Sequence, residues 1–146
     1  MSDPNPGGEF ANPPDDQIAA FLRAMRRVAV VGISDRGDRP SHGITKFLLG
    51  AGYDVCGVNP LLTNVLGRPV FPTLAEVPGP LDLVDIFRRS EAVPEVVEAA
   101  IAGGARGIWM QEDVVHPGAA ARARAAGLFV VMDRCIYKEW LRLLNG

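Results

Sequence analysis

An apolar segment that runs directly into a glycine is the feature that most constrains this chain. Residues 28–34 read Val-Ala-Val-Val-Gly-Ile-Ser, and a short polar loop separates them from a helical pattern that begins near His42. A strand, a glycine turn and a helix N-terminus in this order form an anion pocket. The first backbone N–H groups of a helix have no partners within the helix, and the helix dipole favours negative charge there. The sequence therefore predicts a domain that holds a phosphate-bearing ligand.

Strand and helix patterns alternate from Val28 onward. Short apolar segments rich in β-branched residues predict strands at 28–32, 54–58, 83–87, 107–110 and 129–132, with a brief edge strand at 69–71. Amphipathic patterns predict helices at about 15–27, 42–51, 91–103, 117–126 and 134–145, the first with Asp15 at its N-cap. Strands joined by right-handed helical crossovers predict a single α/β domain with a doubly wound, mostly parallel, Rossmann-like sheet.

Length and composition narrow the classes of protein that fit. A chain of 146 residues suits one domain, predicted at 15–146, and the proline-rich residues 1–14 predict a flexible arm. A net charge of -2 gives no reason to expect a nucleic acid or an anionic membrane as partner. No apolar run reaches the roughly 20 residues that cross a bilayer, and no secretory signal pattern opens the chain, so we expect a cytoplasmic protein. The cysteines and histidines match no metal-site spacing.

The loop after the first strand carries the groups that phosphate binding needs. Gly32 and Ser34 stand where a dinucleotide fingerprint, G-x-G-x-x-G, has its first two glycines. Arg36 and Arg39 can pair with phosphate oxygens, and the hydroxyls of Ser34 and Ser41 can donate hydrogen bonds. The spacing alone has low specificity, because many strand-to-helix turns contain glycine and loop arginines are often only solvated.

Two further strand ends sharpen the prediction. A Rossmann NAD site has an acidic residue at the end of its second strand for the ribose diol, whereas this chain has Asn59 and Pro60 there. A neutral residue tolerates an additional phosphate on that ribose, so NAD is disfavoured and a phosphorylated ribose is allowed. In a strand order 3-2-1-4-5, Phe87 and Arg88 end the strand beside the glycine turn. They then form an apolar wall and a cationic contact, or else Phe87 caps the core and Arg88 coats the surface.

An ordered set of short motifs resembles the small stand-alone bacterial CoA-binding proteins. These proteins are similar to the amino-terminal CoA-binding Rossmann domain of the succinyl-CoA synthetase alpha subunit. The resemblance covers about residues 16–143. The motifs that carry it are Gly32-x-Ser34, Arg39-Pro-Ser41, Gly52-Tyr-Asp-Val, Val58-Asn-Pro60, Leu66-Gly67, Asp82-x-Val-Asp-Ile-Phe-Arg88, Trp109-Met-Gln111 and Met132-Asp-Arg-Cys135.

The resemblance implies coenzyme A as the ligand, lying across the carboxyl edge of the sheet. It implies that Gly32, Ile33 and Ser34 meet the pyrophosphate or pantetheine, and that Arg39 and Ser41 approach the phosphates. It places Asn59 and Pro60 on the adenosine side, and Phe87 and Arg88 at the rim of the fourth strand. Lys46 is a further phosphate partner or a solvated helix lysine. The 3′-phosphate on the CoA ribose agrees with the missing acidic residue of the second strand.

No catalytic residue is predicted. His116 stands at a predicted helix start, where a surface or capping role is favoured, whereas His42 at another helix start is either a phosphate donor or an exposed helix residue. Cys135 lies near Asp133, but the pattern places no base beside its thiol, so a partly buried structural cysteine is favoured over nucleophilic chemistry. A mixed disulfide between Cys135 and the CoA thiol stays open.

The leading interpretation is a protein that binds CoA or acyl-CoA without catalysis of its own and carries, senses or delivers it to a partner enzyme. One alternative is an NADP-dependent oxidoreductase or a fragment of one, which shares the phosphate chemistry but needs a proton donor and a substrate domain. The other is a protein-interaction scaffold whose nucleotide pocket is vestigial.

Overall fold

Seven strands form one mostly parallel sheet in a computed structural model, which describes residues 10–144. The sheet order is β3-β4-β2-β1-β5-β6-β7, and only the β3–β4 pair is antiparallel in the described part of the chain. The strands are β1 Arg27–Val31, β2 Asp54–Val58, β3 Asn64–Val65, β4 Arg68–Phe71, β5 Leu83–Ile86, β6 Gly107–Met110 and β7 Phe129–Val131. The Rossmann-like, doubly wound sheet predicted from the sequence is confirmed.

Helices cover both faces of the sheet. The α-helices are α1 Asp15–Ala24, α2 Pro40–Gly50, α3 Val93–Ala102, α4 Pro117–Ala125 and α5 Ile136–Leu144, with short 3₁₀ turns at Leu74–Glu76 and Ser90–Ala92. Apolar residues of α1, α2 and α5 pack with one another on one face, and those of α3 and α4 form a second core on the other. Both faces of the central strands are therefore buried, which explains their continuous apolar sequence.

The strand order places a switch point beside β1. From β1 the chain moves outward to β2 and β4, then returns to β5 on the opposite side of β1. Val28 pairs with Leu83 and Val31 with Ile86, so the carboxyl ends of β1 and β5 are neighbours, as predicted. Because the crossovers leave in opposite directions at this point, a crevice opens between the two strand ends.

The helix and strand boundaries differ from the sequence prediction in a few places. Helix α1 has Pro14 rather than Asp15 at its N-cap position, and it ends at Ala24 because Met25 is extended. Helix α2 begins at Pro40, two positions earlier than predicted, since a proline ring suits the first helical turn. Strand β3 was not predicted.

Part of the segment predicted as a flexible arm contacts the domain. The Asn12 side chain donates from Nδ2 to the Met132 carbonyl at 3.0 Å and accepts from the Met132 N–H at 2.7 Å. The Arg124 guanidinium lies 4.0 Å from the centre of the Phe10 ring and also donates to the Ala11 carbonyl at 3.0 Å. Residues 10–14 therefore lie beside edge strand β7, while residues 1–9 of the predicted arm lie outside the described residues.

Candidate functional site

A cleft of about 1290 Å³ opens at the carboxyl edge of the sheet, over the switch point. Pockets for small ligands commonly measure about 300–1,000 Å³, so this cleft has room for a large one. It is lined by Gly32, Ile33, Ser34, Arg36, Arg39, Pro40, Ser41, Gly43, Ile44, Lys46, Phe47, Asn59, Leu61, Phe87, Arg88, Arg89, Gln111, Glu112, Asp113, Val114, Cys135 and Tyr137. Every residue that the sequence suggested for the site is in this set except Pro60.

Gly32 makes the sharp turn at the end of β1. Its φ is +88°, and its N–H donates to the Val58 carbonyl at 2.9 Å. A Cβ on this residue would collide with the Phe87 carbonyl oxygen and would stand 3.3 Å from Cδ of Arg88. Only glycine therefore lets the β1 turn pass this close to the chain that leaves β5, and it brings the Arg88 side chain beside the turn.

The loop after Gly32 is held by its own hydrogen bonds. The Arg36 N–H donates to Ser34 Oγ at 3.0 Å, which leaves the hydroxyl proton of Ser34 for another acceptor. Within residues 10–144 the Ser34 N–H donates no hydrogen bond. The Arg36 guanidinium lies 3.5 Å from the Asp38 carboxylate, and Asp38 is not among the cleft residues. Asp38 thus pairs with a cleft-lining arginine without lining the cleft itself.

Three cations of the cleft have no ion-pair partner in the described part of the chain. They are Arg39, Lys46 and Arg88. Arg39 is the N-cap residue of α2, so its guanidinium and the first N–H groups of the helix lie at the same end of the cleft. Unpaired cations beside a helix N-terminus favour an anion, and phosphate in particular.

At the carboxyl end of β2, the side chain of Asn59 bonds to the loop that follows β1. Asn59 donates from Nδ2 to the Ile33 carbonyl at 2.8 Å and accepts at Oδ1 from the Leu61 N–H at 2.8 Å. Its amide therefore bonds to the protein on both sides, although the residue still lines the cleft. Pro60 is exposed and outside the cleft lining, and its neighbour Leu61, 86% exposed, stands at the rim instead.

The far wall of the cleft comprises Cys135, for which a mixed disulfide with CoA stayed open, and residues for which no ligand contact was predicted. The rings of Phe47 on α2 and Tyr137 on α5 meet edge to face, with centroids 4.7 Å apart. Gln111 is buried and accepts at Oε1 from the Ile136 N–H at 3.3 Å, and Cys135 lies partly exposed at the start of α5. Gln111 follows β6 and Cys135 follows β7, so the strand order places both at this edge of the sheet, whereas the aromatic pair depends on the packing of α2 against α5.

Three residues outside the cleft, a histidine, a tryptophan and a cysteine, have structural roles. His116 accepts at Nδ1 from the Ala119 N–H at 2.9 Å and so caps α4, as favoured. Trp109 is fully buried and donates from Nε1 to the Arg134 carbonyl at 2.8 Å. Cys56 is buried in β2, and this burial raises the pKa of its thiol. These residues do not line the cleft.

No cluster of three or more His, Cys, Asp or Glu side chains within residues 10–144 is arranged to hold a metal ion. None of the helices described between these residues is long and apolar enough to cross a membrane.

The fold and the cleft define a doubly wound α/β domain with a cationic crevice at its switch point. A family model described as a CoA binding domain matches residues 26–140. The uncharacterized protein YneT of Bacillus subtilis is 40% identical over 125 residues, covering 86% of this chain and 93% of YneT. The chain belongs to the family of CoA-binding domains.

Two other comparisons add to this assignment. A hypothetical protein from Pyrococcus horikoshii has the same structure with a TM-score of 0.88 and 35% identity, covering 93% of this chain and 98% of its own. An ADP-forming acetate–CoA ligase of Archaeoglobus fulgidus is 34% identical over 71 residues, which are 49% of this chain and 10% of the ligase. This chain thus matches nearly all of the Pyrococcus horikoshii chain and about a tenth of the much larger ligase.

Proposed function

We propose that this protein binds coenzyme A, or an acyl-CoA, in the cleft at the carboxyl edge of the sheet. The observation that carries the proposal is the set of unpaired anion-binding groups around the Gly32 turn in a member of the CoA-binding family. The ligase that shares about half of this chain has a name that states CoA chemistry, in agreement with the same ligand class.

The cleft fits the parts of CoA that the family implies. Gly32 lets the β1 turn pass close to Phe87 and Arg88, and the N–H and hydroxyl of Ser34 are free to donate to a pyrophosphate. Arg39, Ser41 and Lys46 line the cleft from α2, and the cations among them supply positive charge for the phosphates. Phe87, half-buried with Arg88 beside it, offers an apolar wall for the adenine or the pantetheine.

The protein by itself serves as a carrier, a sensor or a donor of CoA to a partner enzyme in this proposal. No nucleophile among the described cleft residues is hydrogen-bonded to a base, a pairing that activates nucleophiles for covalent catalysis. An NADP-dependent oxidoreductase would share the phosphate groups. It is therefore the alternative that the binding experiment must exclude.

Titration calorimetry with CoA, dephospho-CoA, NADP and NAD, side by side on ligand-free protein, tests this function. We expect saturable CoA binding that weakens when the 3′-phosphate is removed, because the end of β2 carries no carboxylate to repel that phosphate. A preference for NADP would replace the proposal with redox chemistry. Binding of none of the four would favour an interaction scaffold.

The Arg39→Ala variant tests whether an unpaired cation of the cleft holds a phosphate. We expect CoA and dephospho-CoA to bind more weakly by the same factor, because Arg39 stands at the N-terminus of α2 beside the glycine turn. Loss of a charge-assisted hydrogen bond of about 1–2 kcal/mol corresponds to a factor of about 5 to 30. The measurement is the dissociation constant of each ligand by calorimetry.

Arg106→Ala is the matched control for Arg39→Ala, since it removes one positive charge outside the cleft, at the amino edge of the sheet. We expect this control to leave both dissociation constants unchanged. A loss confined to CoA would assign Arg39 to the 3′-phosphate, and wild-type affinity for both ligands would remove Arg39 from the site.

A further inference from the structure

The end of β2 holds the peptide between Ile33 and Ser34 in one orientation. Asn59 Nδ2 donates to the Ile33 carbonyl at 2.8 Å, across 26 positions of the chain. A peptide unit is planar and trans, so its N–H points opposite to its C=O. The bond from Asn59 to Ile33 therefore turns the Ser34 N–H away from Asn59, and this N–H has no acceptor within residues 10–144.

Gly57 restrains the side chain of Ile33, the residue that precedes Ser34. A Cβ on Gly57 would stand 2.6 Å from Cγ2 and 2.7 Å from Cδ1 of Ile33, closer than real contacts allow. The fully buried Ile33 side chain therefore packs directly against the backbone of Gly57 in β2. Asn59 and Gly57 restrain the carbonyl and the side chain of Ile33 respectively, so two independent contacts fix the residue that precedes Ser34.

We infer that Asn59 and Gly57 are positioning residues, which present the Ser34 N–H to a phosphate group of the ligand, rather than contacts to its adenosine. The inference rests on the proposed function for its ligand. It reassigns Asn59 from the adenosine side, where the family resemblance placed it, because one end of its amide holds the Ile33 carbonyl and the other the Leu61 N–H. The end of β2 therefore affects phosphate binding indirectly, because it fixes the orientation of the loop that follows β1.

Asn59→Ala and Gly57→Ala are the test variants, with CoA and 4′-phosphopantetheine as probes. The second probe keeps a phosphate and lacks adenosine, so positioning predicts that each variant weakens both probes by the same factor, roughly tenfold or more for a hydrogen bond to a charged group. Calorimetry measures CoA, and a millimolar NMR titration measures 4′-phosphopantetheine. Asn64→Ala is the matched control, because its Oδ1 likewise holds a backbone N–H, that of Gly67 at 3.2 Å, outside the cleft.

Two readouts separate positioning from a general loss of structure. The Ser34 amide resonance of the ligand-free protein shifts in both test variants and stays in place in Asn64→Ala. Ile33→Ala removes Cγ2 and Cδ1, the two atoms that a Cβ on Gly57 would strike, and leaves only its own Cβ at 3.2 Å, so adding Gly57→Ala to it costs less affinity than Gly57→Ala costs alone. This non-additivity is expected only if Gly57 acts through Ile33.

Three results would overturn the inference. In the first, Asn59→Ala loses affinity for CoA alone, which makes Asn59 an adenosine contact. In the second, Asn59→Ala binds both probes with wild-type affinity. In the third, 4′-phosphopantetheine leaves the Ser34 amide resonance of the unmodified protein unchanged. Failure of the unmodified protein to bind CoA would instead overturn the proposed function. The ligand-free Ser34 resonance still reports the positioning in that case.

Discussion

Gly32→Ala is expected to lower both the stability of the protein and its affinity for CoA more than any other single glycine substitution in the loop. The new side chain would adopt a left-handed φ of +88° and collide with the Phe87 carbonyl. The left-handed conformation costs about 1–2 kcal/mol, and overpacking a tight contact adds about 1–3 kcal/mol. Because relief of the clash must move the glycine turn or the Phe87–Arg88 chain, the cleft is distorted even in molecules that fold.

Two glycines elsewhere in the chain serve as controls for Gly32→Ala. Gly67 has a φ of +79° and Gly37 a non-positive one, and a Cβ at either position meets no atom within 4 Å. Gly67→Ala therefore measures the backbone cost alone, and Gly37→Ala measures neither cost. Thermal unfolding should rank the loss of stability as Gly32→Ala, then Gly67→Ala, then Gly37→Ala. Equal melting temperatures for the first two, with unchanged CoA binding, would show that the close approach to Phe87 is unimportant.

The alternating strands and helices were predictable because each central strand is buried on both faces. Continuous apolar runs such as that of β1 indicate parallel strands, and the described helices lie between them where amphipathic patterns predict them. Strand β3 has only two residues, and its hairpin turns through Leu66 at φ 53° and Gly67 at φ 79°. Leucine rarely adopts that conformation, so no local signal identified the turn.

The candidate site was predictable where it depends on neighbours in sequence and not where it depends on contacts across the sheet. Gly32, Ser34 and Arg39 belong to one strand–loop–helix segment, whose order along the chain predicts the anion pocket. The hydrogen bond from Asn59 to Ile33 joins residues 26 positions apart, and no feature of residues 58–60 predicts it. The aromatic pair of Phe47 and Tyr137 likewise requires the packing of α2 against α5.

A second large effect is expected from Asp85, a carboxyl group in the middle of β5. The residue is 0% exposed, and neither carboxyl oxygen has a hydrogen-bond partner in the described part of the chain. Its neighbours across the sheet are Val30 and Trp109, which are apolar and fully buried. Burial disfavours the charged form and therefore raises the pKa of Asp85 well above its usual range.

The direction of the resulting pH dependence follows from proton binding. An unfolded chain releases the Asp85 proton near the ordinary pKa of 3.8, whereas the folded chain keeps it to a higher pH. Between these two pKa values the folded state holds up to one proton more at Asp85, so the contribution of this residue to stability is greatest below 3.8 and falls as the pH rises toward the folded pKa. The slope for one proton is about 1.4 kcal/mol per pH unit.

Asp85→Asn keeps the size of the side chain and removes its ionisation, so the variant is expected to lack this decline. Chemical denaturation from pH 4 to pH 8 should give variant and wild-type free energies of unfolding that diverge above pH 4, with the variant the more stable. Parallel profiles would show that Asp85 ionises alike in both states.

Asp82→Asn, three residues earlier, is a control of opposite sign. Burial alone would raise the pKa of Asp82, but the N–H groups of Arg27 and Arg26, at 2.9 and 2.8 Å, together with the charges of Arg106 and Arg26, outweigh it and lower the pKa. The stability that ionised Asp82 contributes is present above its unfolded pKa and is lost as the pH falls through its lower folded pKa. Asp82→Asn should therefore destabilise the protein at neutral pH, where Asp85→Asn stabilises it. Asp82 directly precedes β5 and Asp85 lies within it, so opposite signs would separate the effect of hydrogen bonding to a carboxylate from the effect of burying one without partners.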